Sequence, residues 1–171
     1  MRFVTFIMIL ALIFSACKES AKNEIYNENN TTVINGTVYD TDERPINGIY
    51  RVYYDDGKIK MEINSLNGKP NGEGKFYRKD GSVSYICNFV DGKPNGVLIN
   101  YYKNGNVHNE LNYDNGVLNG EQKTFDKNGN IVVYAIFENG KAVSGYIIIK
   151  GEKTDFTPEE LKQIETNVSE E

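Results

Sequence analysis

The chain has little of what most enzymes use. Its 171 residues include one histidine, His108, two cysteines, Cys17 and Cys87, and no tryptophan. One histidine with scattered acids is not a zinc set, which needs several clustered ligands. His108 has no Ser or Cys at a motif spacing, so no nucleophile–base pair is assigned. It falls on a polar strand face and reads as a solvated surface residue. Carboxylate pairs such as Asp55-Asp56 lie in turns, where Asp is a turn former, and they lack the dense alternating Asp of calcium loops. No Gly-Lys-Ser/Thr opens a helix, which excludes a phosphate loop. No catalytic residue, metal site or cofactor is expected, and the chain is not expected to be an enzyme.

Positive charge is also sparse. There are 19 basic residues against 24 acidic ones, a net charge of -5, and no basic block. Nucleic acid is therefore not an expected partner, and the surface is not expected to grip anionic lipid.

Long apolar runs are missing except for one. Phe3 to Phe14 is mostly apolar. A bilayer core needs about 20 residues, so this run is too short to span one. With Arg2 before it and Ser15-Ala16 after it, the run matches the h-region of a secretory signal. Ser15-Ala16-Cys17 resembles the lipobox of bacterial lipoproteins, with Phe14 where Leu is commoner. The resemblance implies removal of residues 1–16 and a multiply acylated Cys17 (palmitate-type chains) as mature N-terminus. Two or more acyl chains anchor stably. The expected place is the bacterial cell envelope, on the outer membrane or facing the periplasm, with the cell surface open. Lys18 lacks the Asp that marks inner-membrane retention in some bacteria, which favours the outer membrane. The mature chain has 18 basic and 24 acidic residues, net -6. Cys87 is then the sole thiol and no intramolecular disulfide can form. It reads as a small core residue, with a reactive thiol as the alternative. Lys18 to Asn30 is polar and aperiodic, so residues 17–31 are expected to be a flexible tether.

Glycine is abundant, 16 residues, and periodic. Gly48, Gly72, Gly96 and Gly120 stand 24 apart; Gly145 is a fifth instance, one residue late. Gly57, Gly81, Gly105 and Gly129 follow the same period, as do Gly68, Gly92, Gly116 and Gly140. Nearly all follow Asn or Asp. Asn-Gly and Asp-Gly between alternating runs are the strongest short-range hairpin signal, because both central positions of a type I′ turn need positive φ. Each repeat thus reads as strand, tight turn at Asp56-Gly57 or its equivalents, strand, and a longer turn such as Gly68 to Gly72.

The strands alternate. Ile59, Met61, Ile63 and Ser65 share one face, as do Val83, Tyr85, Cys87 and Phe89; Lys60, Glu62 and Asn64 lie opposite. Tyr53, Tyr77, Tyr101 and Phe125 form a column expected to pair across neighbouring hairpins. The segments Asn71-Gly72-Glu73-Gly74-Lys75-Phe76-Tyr77 through Asp80-Gly81, and Asn95-Gly96 through Tyr101 to Asn104-Gly105, resemble the MORN-type repeat in its YwqK-like antitoxin variant. The likeness covers residues 48–145. It implies an all-β fold, an elongated single-layer antiparallel sheet of successive 24-residue hairpins, and no catalytic residues.

The expected organisation is a signal over 1–16, a tether over 17–31, and a hairpin-repeat domain over 32–150 with repeats from 48, 72, 96 and 120. A C-terminal helix and tail fill 151–171. Thr32 to Tyr39 reads as an extra strand, and Tyr146 to Lys150 as a last one. Thr157-Pro158-Glu159-Glu160 is a capping-box start, with Leu161 and Ile164 facing the last hairpin. The expected function is that of a non-enzymatic binding or scaffold module for an unknown protein or envelope glycan. Tyr50, Tyr54 and Tyr102, with Tyr53, Tyr77 and Tyr101, are the candidate contact residues. Immunity against a toxin is a second reading, and an envelope-polymer hydrolase a third and weak one.

Overall fold

The computed structural model describes residues 25–168. The signal and the lipidation site at Cys17 lie outside them. The strands are β1 (Ile25–Asn27), β2 (Thr31–Ile34), β3 (Thr37–Asp40), β4 (Gly48–Tyr53), β5 (Ile59–Leu66), β6 (Lys69–Tyr77) and β7 (Val83–Val90). Then follow β8 (Lys93–Pro94), β9 (Gly96–Tyr101), β10 (Val107–Asp114), β11 (Val117–Phe125), β12 (Ile131–Glu138), β13 (Lys141–Ile149) and β14 (Glu152–Asp155). One helix, α1 (Pro158–Val168), ends the described chain. From β4 to β14 the strands pair antiparallel in chain order within a single 12-stranded sheet, except that β7 pairs with both the short β8 and β9. β2 and β3 form a separate hairpin. This is the all-β hairpin-repeat architecture expected.

The turns are the reverse of the expectation. The tight two-residue turn is Asn67-Gly68, with φ of 52° and 73°. Asp91-Gly92, Asn115-Gly116 and Asn139-Gly140 do the same. Two successive positive φ values define type I′, whose twist suits the flanking strands. At Asp56-Gly57 only the glycine is left-handed, at 81°. There the Gly57 N–H donates to the Tyr54 carbonyl and the Tyr54 N–H to that of Lys58, both at 2.8 Å. This is a type I turn closed by a glycine bulge. Asp56 serves it by accepting the Lys58 N–H at 3.2 Å, as Asp80 accepts that of Ser82 at 2.9 Å. One dipeptide therefore answers two different demands.

Gly72, Gly96 and Gly120 lie in no loop at all. They have φ of 101°, 91° and 98°; Gly72 and Gly120 sit in bulges where the β5–β6 and β10–β11 registers slip, and Gly96 opens β9 where the pairing to β7 shifts after β8. Asn64 holds the first bulge by donating to the Glu73 carbonyl at 3.1 Å, and Asn112 likewise donates to that of Glu121. Gly145 is not their fifth copy. It pairs with Ala135 as Gly74 pairs with Ile63, so the last repeat carries a shorter bulge.

Successive repeats are tied at both edges. Along one edge the turn glycines Gly68, Gly92, Gly116 and Gly140 donate to the carbonyls of Ile46, Pro70, Pro94 and Leu118, each at 2.8 Å. Along the other, the Tyr54 hydroxyl donates to the Tyr77 carbonyl at 2.6 Å and that of Tyr102 to Phe125 at 2.7 Å. Arg78, in the same repeat position, donates to the Tyr101 carbonyl.

The ends differ from expectation. Ile25–Asn27, placed in the tether, pairs in parallel with β4; its Ile-Tyr pair supplies strand propensity that the polar average of the segment conceals. The single strand expected over Thr32 to Tyr39 is instead the β2–β3 hairpin, because Asn35-Gly36 makes another left-handed pair. Strand β14 lies where the helix and tail were expected to begin, after a turn at Lys150-Gly151 with φ of 53° and 85°. The capping box holds: the Glu160 carboxylate accepts the Thr157 N–H at 2.8 Å, and the Glu160 N–H donates to Thr157 Oγ1 at 3.3 Å. Leu161 and Ile164 pack on Leu118, Ala135, Phe137 and Ala142.

Gly145 tests this packing. A Cβ there would lie 2.4 Å from the Tyr134 carbonyl oxygen and 2.9 Å from Ala135 Cα. Gly145→Ala is expected to lower stability by about 1–3 kcal/mol, read as a fall in urea midpoint. Gly74→Ala, which meets only the ends of Phe89 and Ile63 side chains, should cost less. Equal midpoints for both variants would contradict the assigned crowding.

Candidate binding surface

The sheet presents two unlike faces. One row across nine strands runs Val52, Met61, Phe76, Tyr85, Asn100, Asn109, Thr124, Val133, Ile147. Beside it lie Tyr50, Ile63, Gly74 and Cys87, then Leu98, Leu111, Gln122 and Ala135. Most side chains of this apolar face are half-buried. Phe76 stacks on Tyr85 with ring centres 4.0 Å apart and touches Phe89 at 6.4 Å. The fully covered residues are those enclosed by neighbours, such as Cys87 at 1% exposure and Ile63 at 4%.

The opposite face carries Arg51, Glu62, Lys75, Ile86, Ile99, Glu110, Lys123 and Tyr134 in one row. Arg51 bonds Glu62 at 2.6 Å and Lys123 bonds Glu121 at 2.8 Å. The Glu121 carboxyl is held low by Lys123 first, then by the Tyr134 hydroxyl. Solvent screens pairs at such a surface, and they chiefly order its side chains.

The six candidate tyrosines do not converge. Tyr50 lies on the apolar face opposite Ile63. Tyr54 and Tyr102 belong to the open turns, where their hydroxyls serve the inter-repeat bonds already described. The Tyr54 ring has Lys60 and Lys79 at 5.9 Å, and Tyr102 lies 4.3 Å from the His108 ring. Tyr53, Tyr77 and Tyr101 face Ile59, Val83 and Val107 across register shifts. The expected ring-on-ring pairing along their column fails for a geometric reason. Equivalent strands of adjacent repeats are two strands apart, about 9.6 Å, which is beyond ring contact. The column's carbonyls, rather than its rings, link the repeats.

The sequence does not reveal the groove under α1. Its volume is about 540 Å³, and Leu111, Tyr113, Leu118, Phe137, Phe156 and Ile164 supply its apolar walls. Asn109, Gln122 and Thr124 add polar groups on the floor. Gln122 is buried and satisfied: its Oε1 accepts the Asn112 N–H at 3.0 Å and its Nε2 donates to the Asn112 carbonyl at 3.1 Å. Phe156 folds over Gly145, and its N–H donates to the Gly145 carbonyl at 3.0 Å. Apolar walls with a few fixed polar groups are the usual make-up of a ligand or peptide site.

The fold and surface define a hairpin-repeat protein built to present one long apolar face. Residues 46–67, 94–115 and 118–141 match the MORN repeat variant, so these three segments are MORN-type repeats. No curated protein matches the sequence. Among solved structures, the GtfA/B complex bound to UDP and GlcNAc is similar over 81% of this chain and 26% of that one, at 8% identity and a TM-score of 0.27. A mutant of S. aureus TarM in complex with Fondaparinux, alpha-GlcNAc-glycerol and UDP is similar over 84% of this chain and 23% of that one, at 13% identity and a TM-score of 0.27. The chain spans about a quarter of the length of each.

Cys87 offers a direct check on the apolar face. Burial pushes its thiol from 9.0 up to about 11. Between those values the unfolded chain binds fewer protons than the folded one, so stability falls as pH rises above 9. Burial also raises the phenols of Tyr85 and Tyr113, which extends the fall. Cys87→Ala should flatten the first part of this decline, measured by urea titration at stepped pH. Iodoacetamide should label Cys87 only after unfolding. Labelling of the folded chain would place the thiol at the surface.

Proposed function

We propose that this chain is a lipid-anchored, non-enzymatic binding or scaffold protein of a bacterial cell envelope. The observation that carries the reading is the apolar face itself. Repeated hairpins align half-buried Phe, Tyr and aliphatic side chains over many strands, and among the described residues α1 covers only the last repeats. Aromatic residues of this kind supply contact area at low entropic cost. The groove beneath α1, walled by Tyr113, Phe137 and Phe156, offers that face an anchor point.

The partner is a protein or a cell-envelope glycan. The anchor rests on sequence alone: Arg2, the run from Phe3 to Phe14, and Ser15-Ala16-Cys17. A tethered module needs no membrane-gripping surface of its own, in keeping with the acidic balance of the chain, 19 basic against 24 acidic residues.

Crosslinking in the native envelope, followed by mass spectrometry, tests the binding reading. Thr124→Trp fills the groove from its floor without removing a packing residue. It is expected to cut recovery of the principal partner about tenfold or more, equivalent to ~1.4 kcal/mol, with the urea midpoint little changed. Undiminished recovery would remove the groove from the interface. A toxin as the dominant partner would favour immunity, the alternative that the YwqK-like resemblance implies. For the anchor, Cys17→Ser should move the chain from the membrane pellet to the soluble fraction. A serine variant that still pellets would refute lipid anchoring at that residue.

A further inference from the structure

We infer that Asn35 is a site of spontaneous deamidation, and that the inter-repeat bonds shield the Asn-Gly turns at Asn67, Asn115 and Asn139 from the same reaction. The sequence contains ten Asn-Gly pairs. In each, the glycine nitrogen can attack the asparagine side-chain carbonyl carbon. The C–N bond to the amide nitrogen breaks, and ammonia leaves with the glycine N–H proton. Water then opens the resulting succinimide on either side, giving aspartate or isoaspartate. Glycine favours the reaction because no side chain obstructs the attack.

The reaction has two structural requirements. The glycine N–H must be free to give up its proton, and the asparagine must leave the left-handed conformation to bring its carboxamide over that nitrogen. The repeat turns at Asn67, Asn115 and Asn139 oppose both. Gly68, Gly116 and Gly140 donate their N–H groups to carbonyls of the preceding repeat at 2.8 Å. Gly105 and Gly129 donate within their own turns, to Tyr102 at 3.0 Å and Asp126 at 3.1 Å. Gly48, Gly72, Gly96 and Gly120 are strand residues of the large sheet.

Asn35-Gly36 lacks the first of these obstacles. It is a left-handed pair, with φ of 51° and 77°, but it caps the β2–β3 hairpin, which is a two-stranded sheet of its own. The Gly36 N–H has no acceptor among the described residues. Both residues are exposed, and a Cβ on Gly36 would meet nothing within 4 Å. An isolated two-stranded hairpin is marginal in water, so its tip opens locally at low cost. The hairpin's root is fixed to the first repeat, with the Val38 N–H donating to the Gly68 carbonyl at 2.8 Å. The opening is therefore confined to the tip. Each event makes the net charge one unit more negative. The isoaspartate product adds a backbone methylene that the two-residue turn cannot accommodate.

The test is ageing of the full chain in mildly alkaline buffer, with peptide mapping that separates asparagine, aspartate and isoaspartate. The same chain aged in denaturing urea is the reference. In the folded chain, Asn35 should convert about tenfold or more faster than Asn67, Asn115 or Asn139, a difference equal to ~1.4 kcal/mol of local opening. In urea the four should convert at similar rates. The proposal is overturned if Asn115 or Asn139 keeps pace with Asn35 in the folded chain. It is equally overturned if Asn35 stays intact there while the urea sample reacts.

Discussion

Each turn glycine N–H donates to a carbonyl of the previous repeat, from Gly68 to Ile46 through Gly140 to Leu118, and the sheet depends on these bonds. A single-layer sheet has no opposing layer to set its register by interdigitation. Register must come from the backbone itself. A two-residue turn with both residues left-handed fixes one hairpin, and its free N–H then fixes that hairpin against the one before. A turn of another length would leave this N–H without its acceptor and shift the strand pairing. A one-residue slip in a sheet moves every side chain to the other face. The Asn-Gly pair thus determines which residues are apolar-facing four repeats long.

With register set, the two faces can specialise. The apolar face keeps small groups where rings and branched chains crowd: Gly74 between Ile63 and Phe89, Gly145 beneath Phe156, and Ala135 and Cys87 in the buried row. Of these, Gly145 has the least room for growth, while the aromatic residues around them remain half open. Full burial of such a face requires a second layer, and α1 supplies one only at its own end, through Leu161 and Ile164. The half-open remainder is the surface on which the proposed binding role rests. The polar face shows the complementary logic, with charges alternating along Arg51, Glu62 and Lys75 and again at Glu110 and Lys123. Opposite charges directly across a pair stabilise it weakly, and like charges would oppose it.

Much of this was legible in the residues. The 24-residue period, the strand faces, the core position of Cys87 and the capping box at Thr157 follow from periodicities of glycine and apolar residues that local chemistry enforces. The roles of the three glycine classes did not follow. Asn67-Gly68, Asp56-Gly57 and Asn71-Gly72 look alike as dipeptides, and only the hydrogen-bonding context separates a type I′ turn, a bulged type I turn and a strand bulge. The ring pairing expected of the column tyrosines fails for a similar reason. Their spacing was visible, but the distance between equivalent strands and the acceptors of the Tyr54 and Tyr102 hydroxyls are properties of the assembled sheet. Arg78 shares their repeat position yet not their chemistry as a residue type, so a column read by aromaticity passes over it. The groove is less legible still, because α1 and strand β10 contribute to one cavity from distant parts of the chain.

A repeat that templates its neighbour must also be stopped from templating another chain. The exposed backbone of an edge strand invites that pairing, and charge on the strand discourages it. At the C-terminal edge, β14 consists of Glu152, Lys153, Thr154 and Asp155, all exposed. Lys153 bonds Asp155 at 3.1 Å and lies 4.4 Å above the Tyr146 ring, which holds the charges in place along the strand. At the other edge, β1 is three residues long and parallel. Its parallel direction breaks the antiparallel alternation, and its length leaves few groups to pair. The two ends therefore limit the array by different means, charge at one and brevity at the other. Both devices lie outside the glycine register, consistent with repeats that specify growth and flanking segments that specify where growth ends.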